Sequence, residues 1–277
     1  MLNLAEPTDD GLITPLVGRW SRDKHHFLLR YIDAFTTAMR KKRWSGLHYI
    51  DLFAGAGIER LDGSDALDWG SPLIAAQAKF PFDQLHLCER DDEKFRALFQ
   101  RIQRFRKQAG DQLLTGDANC RASDVVQLIP PKSLALSFLD PYGLHLDYET
   151  LRSLAAIRSD LIIFFPDQLD ILRNWKAYYW DNPQSNLDSV LGTDSNWRVV
   201  IRNAFQGRRV RTFLDLYVDQ IKKLGYRYFE WEPIPSQGRR LYWLIYCSRS
   251  DVGAKIWRAV SGKKPDGQRS LEFPPPA

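Results

Sequence analysis

Cysteine is scarce in this chain: Cys88, Cys120 and Cys247 are the only three in 277 residues, and they lie far apart. No pair has metal-ligand spacing, so neither a disulfide framework nor a zinc site is indicated. Cys88 and Cys120 fall at expected strand ends and read as inert small hydrophobes. No apolar run approaches the roughly 18 residues of a membrane span. The start, MLNLAEPTDD, lacks the basic and apolar regions of a signal peptide. A cytoplasmic protein is therefore expected. There is no internal repeat and no clear linker, so residues 1–277 read as one domain. The adjacent histidines His25-His26 have no matching ligands elsewhere, and no metal is expected; a helix surface is the simpler reading.

What is present suits a large core. Hydrophobic residues make up 44 % and charged residues 26 % of the chain, an ordinary globular balance. The net charge of +5 allows an anionic partner without requiring one.

The most informative stretch is His48-Tyr49-Ile50-Asp51-Leu52-Phe53-Ala54-Gly55-Ala56-Gly57. Its apolar residues suit a strand covered on both faces, and its glycines permit positive φ and close approach of a ligand. A strand, glycine turn and helix gather free backbone N–H groups at one point. The turn is too short for a phosphate-wrapping loop, and an acid within the strand suits a cationic ligand such as S-adenosylmethionine. Around this unit the pattern alternates. A helix is expected over 21–43 with Ser21 as its cap, and residues 58–70 read as a loop. A second helix starts at Ser71-Pro72, with Ser71 capping and proline at the first helical position. Strands are expected at 84–88, 112–115, 134–139 and 161–165, with helices at 91–108 and 148–157 between them. Such alternation implies βαβ units and a mostly parallel sheet flanked by helices, a Rossmann-like fold. Ligand groups then belong at the carboxyl ends of the strands, where Asp51, Gly55, Gly57, Glu89, Asp117, Asn119 and Asp140 collect.

Each of these residues has a chemical reading. Glu89 can accept both hydroxyls of a ribose. It follows Gly57 by 32 residues, a spacing that becomes 20 if the 12-residue stretch 58–69 is an insertion. Asp117 can accept an adenine amino group while the Ala118 N–H faces a ring nitrogen. In Asp140-Pro141-Tyr142-Gly143, the carboxylate can accept a hydrogen from a substrate amine while the ring of Tyr142 stacks on a planar base. Methyl transfer is an in-line displacement in which catalysis is mostly positioning. Residues 167–209 break the pattern and are expected to form an irregular helical insertion; residues 210–260 resume the fold with a helix at 213–224 and antiparallel strands at 226–231 and 241–247. The tail beyond is expected to be mobile. Two stretches hold five Lys or Arg each and no acid, 96–107 and 198–211. The first reads as a solvated helix face. The second, with Arg208, Arg209 and Arg211 beside Tyr178, Tyr179, Trp180 and Trp197, fits a nucleic-acid surface or ordinary core.

With these residues in place, the chain resembles the three-Cys-motif partner proteins, which look like class I methyltransferases. The resemblance rests on Trp20…Lys24-His25…Leu28-Leu29…Tyr31…Phe35, then HYIDLFAGAG, GSPLIA at 70–75, GDAN at 116–119 and FLDPYG at 138–143, over about residues 20–165. It implies S-adenosylmethionine as cofactor and S-adenosylhomocysteine as product. Asp51, Phe53, Gly55 and Gly57 would form the methionine-side loop, with Glu89 the ribose acid and Asp117 with Ala118 the adenine site. It also implies a possible protein partner resembling radical-SAM enzymes, whose cysteines give the family its name. Asp140–Gly143 further resembles the Asp-Pro-Phe/Tyr-Gly motif of enzymes that methylate a guanine amino group in transfer RNA. It lacks the second proline of the Asp-Pro-Pro-Tyr/Phe motif of DNA amino-methyltransferases. The leading expectation is methylation of a nucleic-acid amino group. The alternatives are a protein or small-molecule acceptor, and a non-catalytic cofactor-binding module that docks a partner.

Overall fold

A computed structural model describes residues 4–106, 108–166, 179–182, 185–204, 209–236 and 239–262. Its elements in chain order begin with β1 (Leu16–Val17), α1 (Trp20–Met39), β2 (Leu47–Asp51), β3 (Ile58–Leu61), β4 (Leu67–Trp69), α2 (Ser71–Ala76) and β5 (Gln84–Glu89). Next come α3 (Asp92–Phe105), β6 (Gln112–Thr115), α4 (Ala118–Gln127), β7 (Leu134–Leu139), α5 (Tyr148–Leu154) and β8 (Ser159–Pro166). The chain continues with α6 (Asn186–Leu191), α7 (Trp197–Asn203), α8 (Arg209–Lys223), β9 (Tyr228–Ser236), β10 (Arg239–Ser248) and α9 (Asp251–Ser261).

Seven strands form one sheet in the order β6-β5-β2-β7-β8-β10-β9. The first five pair in parallel, and β10 runs antiparallel to both β8 and β9. The central strands are covered on both faces, so they are mainly apolar and alternate between two cores. Leu134, Leu136 and Phe138 of β7 face the cluster built with α1, α2, α3 and α9. Ala135 and Leu139 of the same strand face the cluster built with α4, α5, α6 and α8. Reversal of strand order on either side of β2 opens a crevice at the carboxyl edge, where α/β sheets take their ligands.

Several expectations need correction. The stretch 58–70 is not plain loop: β3 and β4 form a hairpin, and β1 adds to β3 in parallel, making a separate three-stranded sheet. Neither serine is a cap. Ser21 lies inside α1 and donates to Glu59 Oε2 at 2.6 Å, while Ser71 is the first residue of α2 and donates to Asp51 Oδ2 at 2.6 Å. In both cases a tertiary carboxylate outcompetes the local backbone donor. α1 stops at Met39 and α3 at Phe105, short of the expected ends. Cys88 is buried as expected, but Cys120 is exposed and lies within α4, not at a strand end. His25 is buried rather than on a helix surface. The basic stretch on α3 is not simply a solvated face, since Arg101 and Arg106 are buried. Of the insertion 167–209, residues 167–178, 183–184 and 205–208 lie outside the described residues, as does the tail from 263. Short helices fill much of the rest. Among the described residues no helix is long and apolar enough to cross a membrane.

Candidate active site at the carboxyl edge of the sheet

Strand register places the sequence-predicted acids together. Asp51, the last residue of β2, pairs with Leu87 of β5 on one side and with Phe138 of β7 on the other. Glu89 and Asp140 each lie two residues beyond those partners. Asp117 lies two residues beyond Thr115, which pairs with Glu89. Three carboxylates thus line one edge, around the turn that follows Asp51.

Asp51 organises that turn from below. It is fully buried; Oδ1 accepts the Phe53 N–H at 3.1 Å, and Oδ2 accepts the hydroxyls of Ser71 at 2.6 Å and Tyr49 at 3.2 Å. Burial pushes its carboxyl up to about 7, against the opposing pull of the Ser71 and Phe53 hydrogen bonds, and the nearby Asp140 adds to the rise. Phe53 is partly buried against the second core, so its part in the turn is its N–H as much as its ring. Gly55 and Gly57 both have positive φ, 64° and 88°. No atom lies within 4 Å of where a Cβ on Gly55 would stand, so the space beside the turn is open. At Gly57 a Cβ would meet Leu73 Cγ at 3.1 Å, so the turn packs tightly on α2.

Glu89 closes the turn from the neighbouring strand. Its Oε2 accepts the Gly55 N–H and its Oε1 the Asp91 N–H, both at 2.8 Å. Each oxygen keeps a lone pair for a further donor. Asp117 caps α4 by accepting the Asn119 N–H at 2.9 Å, and its other oxygen lies 3.9 Å from the Arg90 guanidinium. Ala118 begins α4, so its N–H belongs to the first-turn donors that no helical carbonyl reaches.

Asp140 leaves β7 on the same face as Phe138, toward α1. There Lys24 donates to its Oδ2 in a close ion pair; the lysine side chain is only 7 % exposed. Burial alone would lower the Lys24 pKa, but the charges of Asp140, Glu59 and Asp51 outweigh it, so the pKa is raised and the ammonium stays charged. Its Nζ lies 5.1 Å from the Phe164 ring centroid. His25 beside it is neutral: burial, with the Lys24 charge, holds its pKa down at about 3. Pro141 is buried, Gly143 turns the chain with φ 89°, and Tyr142 is 96 % exposed, with its ring facing solvent. Asn119 fastens the loop after Gly143 to α4: its Nδ2 donates to the His145 carbonyl at 2.9 Å, and its Oδ1 accepts the Thr150 hydroxyl at 2.7 Å.

Sequence reasoning missed Lys24, Glu59, Ser71 and Arg101 as parts of this edge. Arg101 of α3 is fully buried and donates to the Ala56 carbonyl of the glycine turn at 2.8 Å, to the Ile13 carbonyl at 3.0 Å and to both Asp10 oxygens. Of the three arginines expected at a substrate surface, Arg208 lies outside the described residues and Arg209 opens α8. Arg211 pairs with Asp215 at 2.8 Å. The neighbouring aromatics pack on one another: Tyr179 is buried and Trp180 meets Trp197 edge-on, with Arg198 over the Trp197 ring. Tyr178 lies outside the described residues. No group of three or more His, Cys, Asp or Glu among the described residues could hold a metal ion.

Strand order and pairing together define a Rossmann-like α/β fold, as expected. No family model and no curated protein matches the chain. Among solved structures it is similar to protein LPL1258 from Legionella pneumophila str. Philadelphia 1, with 11 % identity and a TM-score of 0.51, covering 88 % of this chain and 94 % of that one. Further matches include Trm1 from Pyrococcus horikoshii in complex with S-adenosyl-L-methionine, with 10 % identity, TM-score 0.46 and coverage of 94 % and 65 %. Another is magnesium protoporphyrin IX methyltransferase from Synechocystis PCC 6803 with bound SAH, with 12 % identity, TM-score 0.40 and coverage of 83 % and 86 %.

Proposed function

We propose that this chain is an S-adenosylmethionine-dependent methyltransferase acting on an exocyclic amino group of a nucleic-acid base. The observation that carries the reading is the alignment of Glu89, Asp117 and Asp140 around an open glycine turn, with an exposed tyrosine next to the last of them. The residues fit such a cofactor. The space beside Gly55 is open, Glu89 keeps lone pairs for ribose hydroxyls, and an edge rich in carboxylates suits a cation. When bound, the cofactor supplies a methyl group on a sulfonium, and transfer leaves the carbon–sulfur electron pair on sulfur.

The chain's own residues do the positioning. Asp117 and the Ala118 N–H address the adenine edge. Asp140 accepts a hydrogen of the substrate amine, which turns the nitrogen lone pair toward the methyl, and takes the proton that the nitrogen sheds as the new bond forms. Tyr142 offers a stacking face to a base that is unpaired or drawn out of its stack. Arg208, Arg209 and Arg211 would meet phosphates, and a radical-SAM-like protein is the partner the family resemblance suggests.

The test is incubation with methyl-labelled cofactor and separate RNA, DNA and protein fractions. Label in RNA or DNA, on a base nitrogen, supports the reading. Asp140→Asn should keep its affinity for S-adenosylhomocysteine yet transfer roughly a hundredfold or more slowly, the scale of an orienting contribution. Label confined to protein overturns the acceptor class. Tight cofactor binding with no labelled product favours the partner-docking role instead.

A further inference from the structure

The first turns of α1 present polar groups where the rest of that helix's buried face is mainly apolar. Ser21, Lys24 and His25 are all buried, at i, i+3 and i+4, and Phe27, Leu28, Tyr31, Ile32 and Phe35 follow them. Helical residues at these spacings share one face, and here that face meets the carboxyl edge of the sheet. Burying a lysine is costly unless its charge is compensated. This one is met by the Asp140 carboxylate, by the Phe164 ring and, at longer range, by Glu59, which Ser21 holds. Packing needs no ammonium at this point: a methionine of similar length would fill the same channel. The lysine takes one oxygen of Asp140, and among the described residues no hydrogen bond reaches the other.

We propose that Lys24 is a positioning residue for methyl transfer, holding Oδ2 of Asp140 so that Oδ1 is aimed at the hydrogen of the incoming amine. The inference rests on the reading of Asp140 given above. A carboxylate on a strand end can rotate about two side-chain bonds. A charge-assisted bond to a lysine that is itself packed along a helix removes that freedom. α1, which precedes the regular βα units, then becomes part of the catalytic edge and not only a cover for the sheet. Lys24 acts through Asp140 and touches neither cofactor nor substrate.

The experiment is a double-mutant cycle on the full chain, with Lys24→Met and Asp140→Asn singly and together, and Lys24→Arg as the conservative variant. Single-turnover methyl transfer to total cellular RNA is followed at saturating cofactor, and S-adenosylhomocysteine affinity by calorimetry. Lys24→Met should bind S-adenosylhomocysteine within about threefold of wild type and transfer roughly a hundredfold more slowly. The double variant should be no slower than Asp140→Asn alone, because residues that act as a unit are non-additive. Lys24→Arg should recover part of the rate, since it keeps the charge. A merely structural lysine would instead give additive losses and a parallel loss of cofactor affinity, and that result would overturn the proposal. Transfer by Lys24→Met within threefold of wild type would also overturn it, while leaving the role of Asp140 standing. Should Lys24→Met fail to fold, Lys24→Gln carries the same cycle. Wild-type protein that labels neither RNA nor DNA, whatever its cofactor affinity, removes the functional reading and this inference together; label in DNA alone keeps the reading and moves the same cycle to that substrate.

Discussion

Asp51 offers a measurable link between the site and the stability of the fold. Its carboxyl sits fully buried under the glycine turn, and burial raises its pKa from the ordinary 3.8 to about 7. Between those two values the folded chain holds a proton that the unfolded chain has lost. Stability must therefore fall as pH rises through this window, by about 1.4 kcal/mol for each pH unit. The whole shift corresponds to about 4 kcal/mol, complete near pH 8, with somewhat more than half of it between pH 5 and 8. Asp51→Asn removes the titration while keeping an oxygen for the Phe53 N–H. Urea denaturation of both proteins at pH 5, 6, 7 and 8 gives the difference directly. Neutral His25 and His86, with depressed pKa values, and buried Asp160, with a raised one, also contribute to the pH profile. They are common to both proteins and cancel. The advantage of Asp51→Asn should grow with pH and level off above pH 8. A difference that stays flat, or shrinks as pH rises, would mean that Asp51 is ionised throughout and would refute the burial argument.

Further expectations follow from the same geometry. Gly57→Val should cost at least tenfold in S-adenosylhomocysteine affinity by calorimetry, because φ is 88° and a Cβ would press on Leu73 at 3.1 Å. Arg101→Met leaves Asp10 and three backbone carbonyls without their donor; a loss of about 3 kcal/mol is expected in urea denaturation, the scale for breaking a buried ion pair, with earlier proteolytic cleavage before residue 20. Replacing Arg208, Arg209 and Arg211 together by alanine should weaken RNA binding and flatten its salt dependence; an unchanged slope in a filter-binding titration would make them ordinary surface charge.

The sheet and its acid-lined edge were legible because both follow from short-range pattern. Apolar runs ended at or just before an acid at four strands (Asp51, Glu89, Asp117 and Asp140), and the strands at 112–115 and 134–139 match their expected bounds. Partners distant in sequence were not legible. β3 and β4 are short strands of a local hairpin whose Asp62-Gly63 signal reads as loop, and the pairing of β3 with Leu16–Val17 is distant in sequence. Lys24 shares the face of α1 that carries Leu28 and Tyr31, but its counter-charge, Asp140, lies over a hundred residues later, so the helix alone does not show what the ammonium meets. Arg101 sits in a run of basic residues and looks like solvent-facing charge, yet it is fully buried. α4 and α9 were not anticipated: ANCRASDVVQ carries little apolar periodicity, and the apolar face of DVGAKIWRAVS, with Ala254, Trp257 and Val260, was missed. For Lys24 and Arg101 the missing information was tertiary: a buried charge is recognisable only with its counter-charge.

Arg101 has a consequence for how the glycine turn behaves in solution. One guanidinium grips both the segment from Asp10 to Ile13 and the carbonyl of Ala56. Ordering of that segment and ordering of the turn are thereby a single cooperative event. The affinity of a ligand seated on that turn would then depend on the order of a stretch some forty residues upstream. A fusion or tag that strains residues 10–13 would loosen binding from a distance, while a ligand seated on the turn would slow hydrogen exchange at Leu12 and Ile13 as well as at its own contacts.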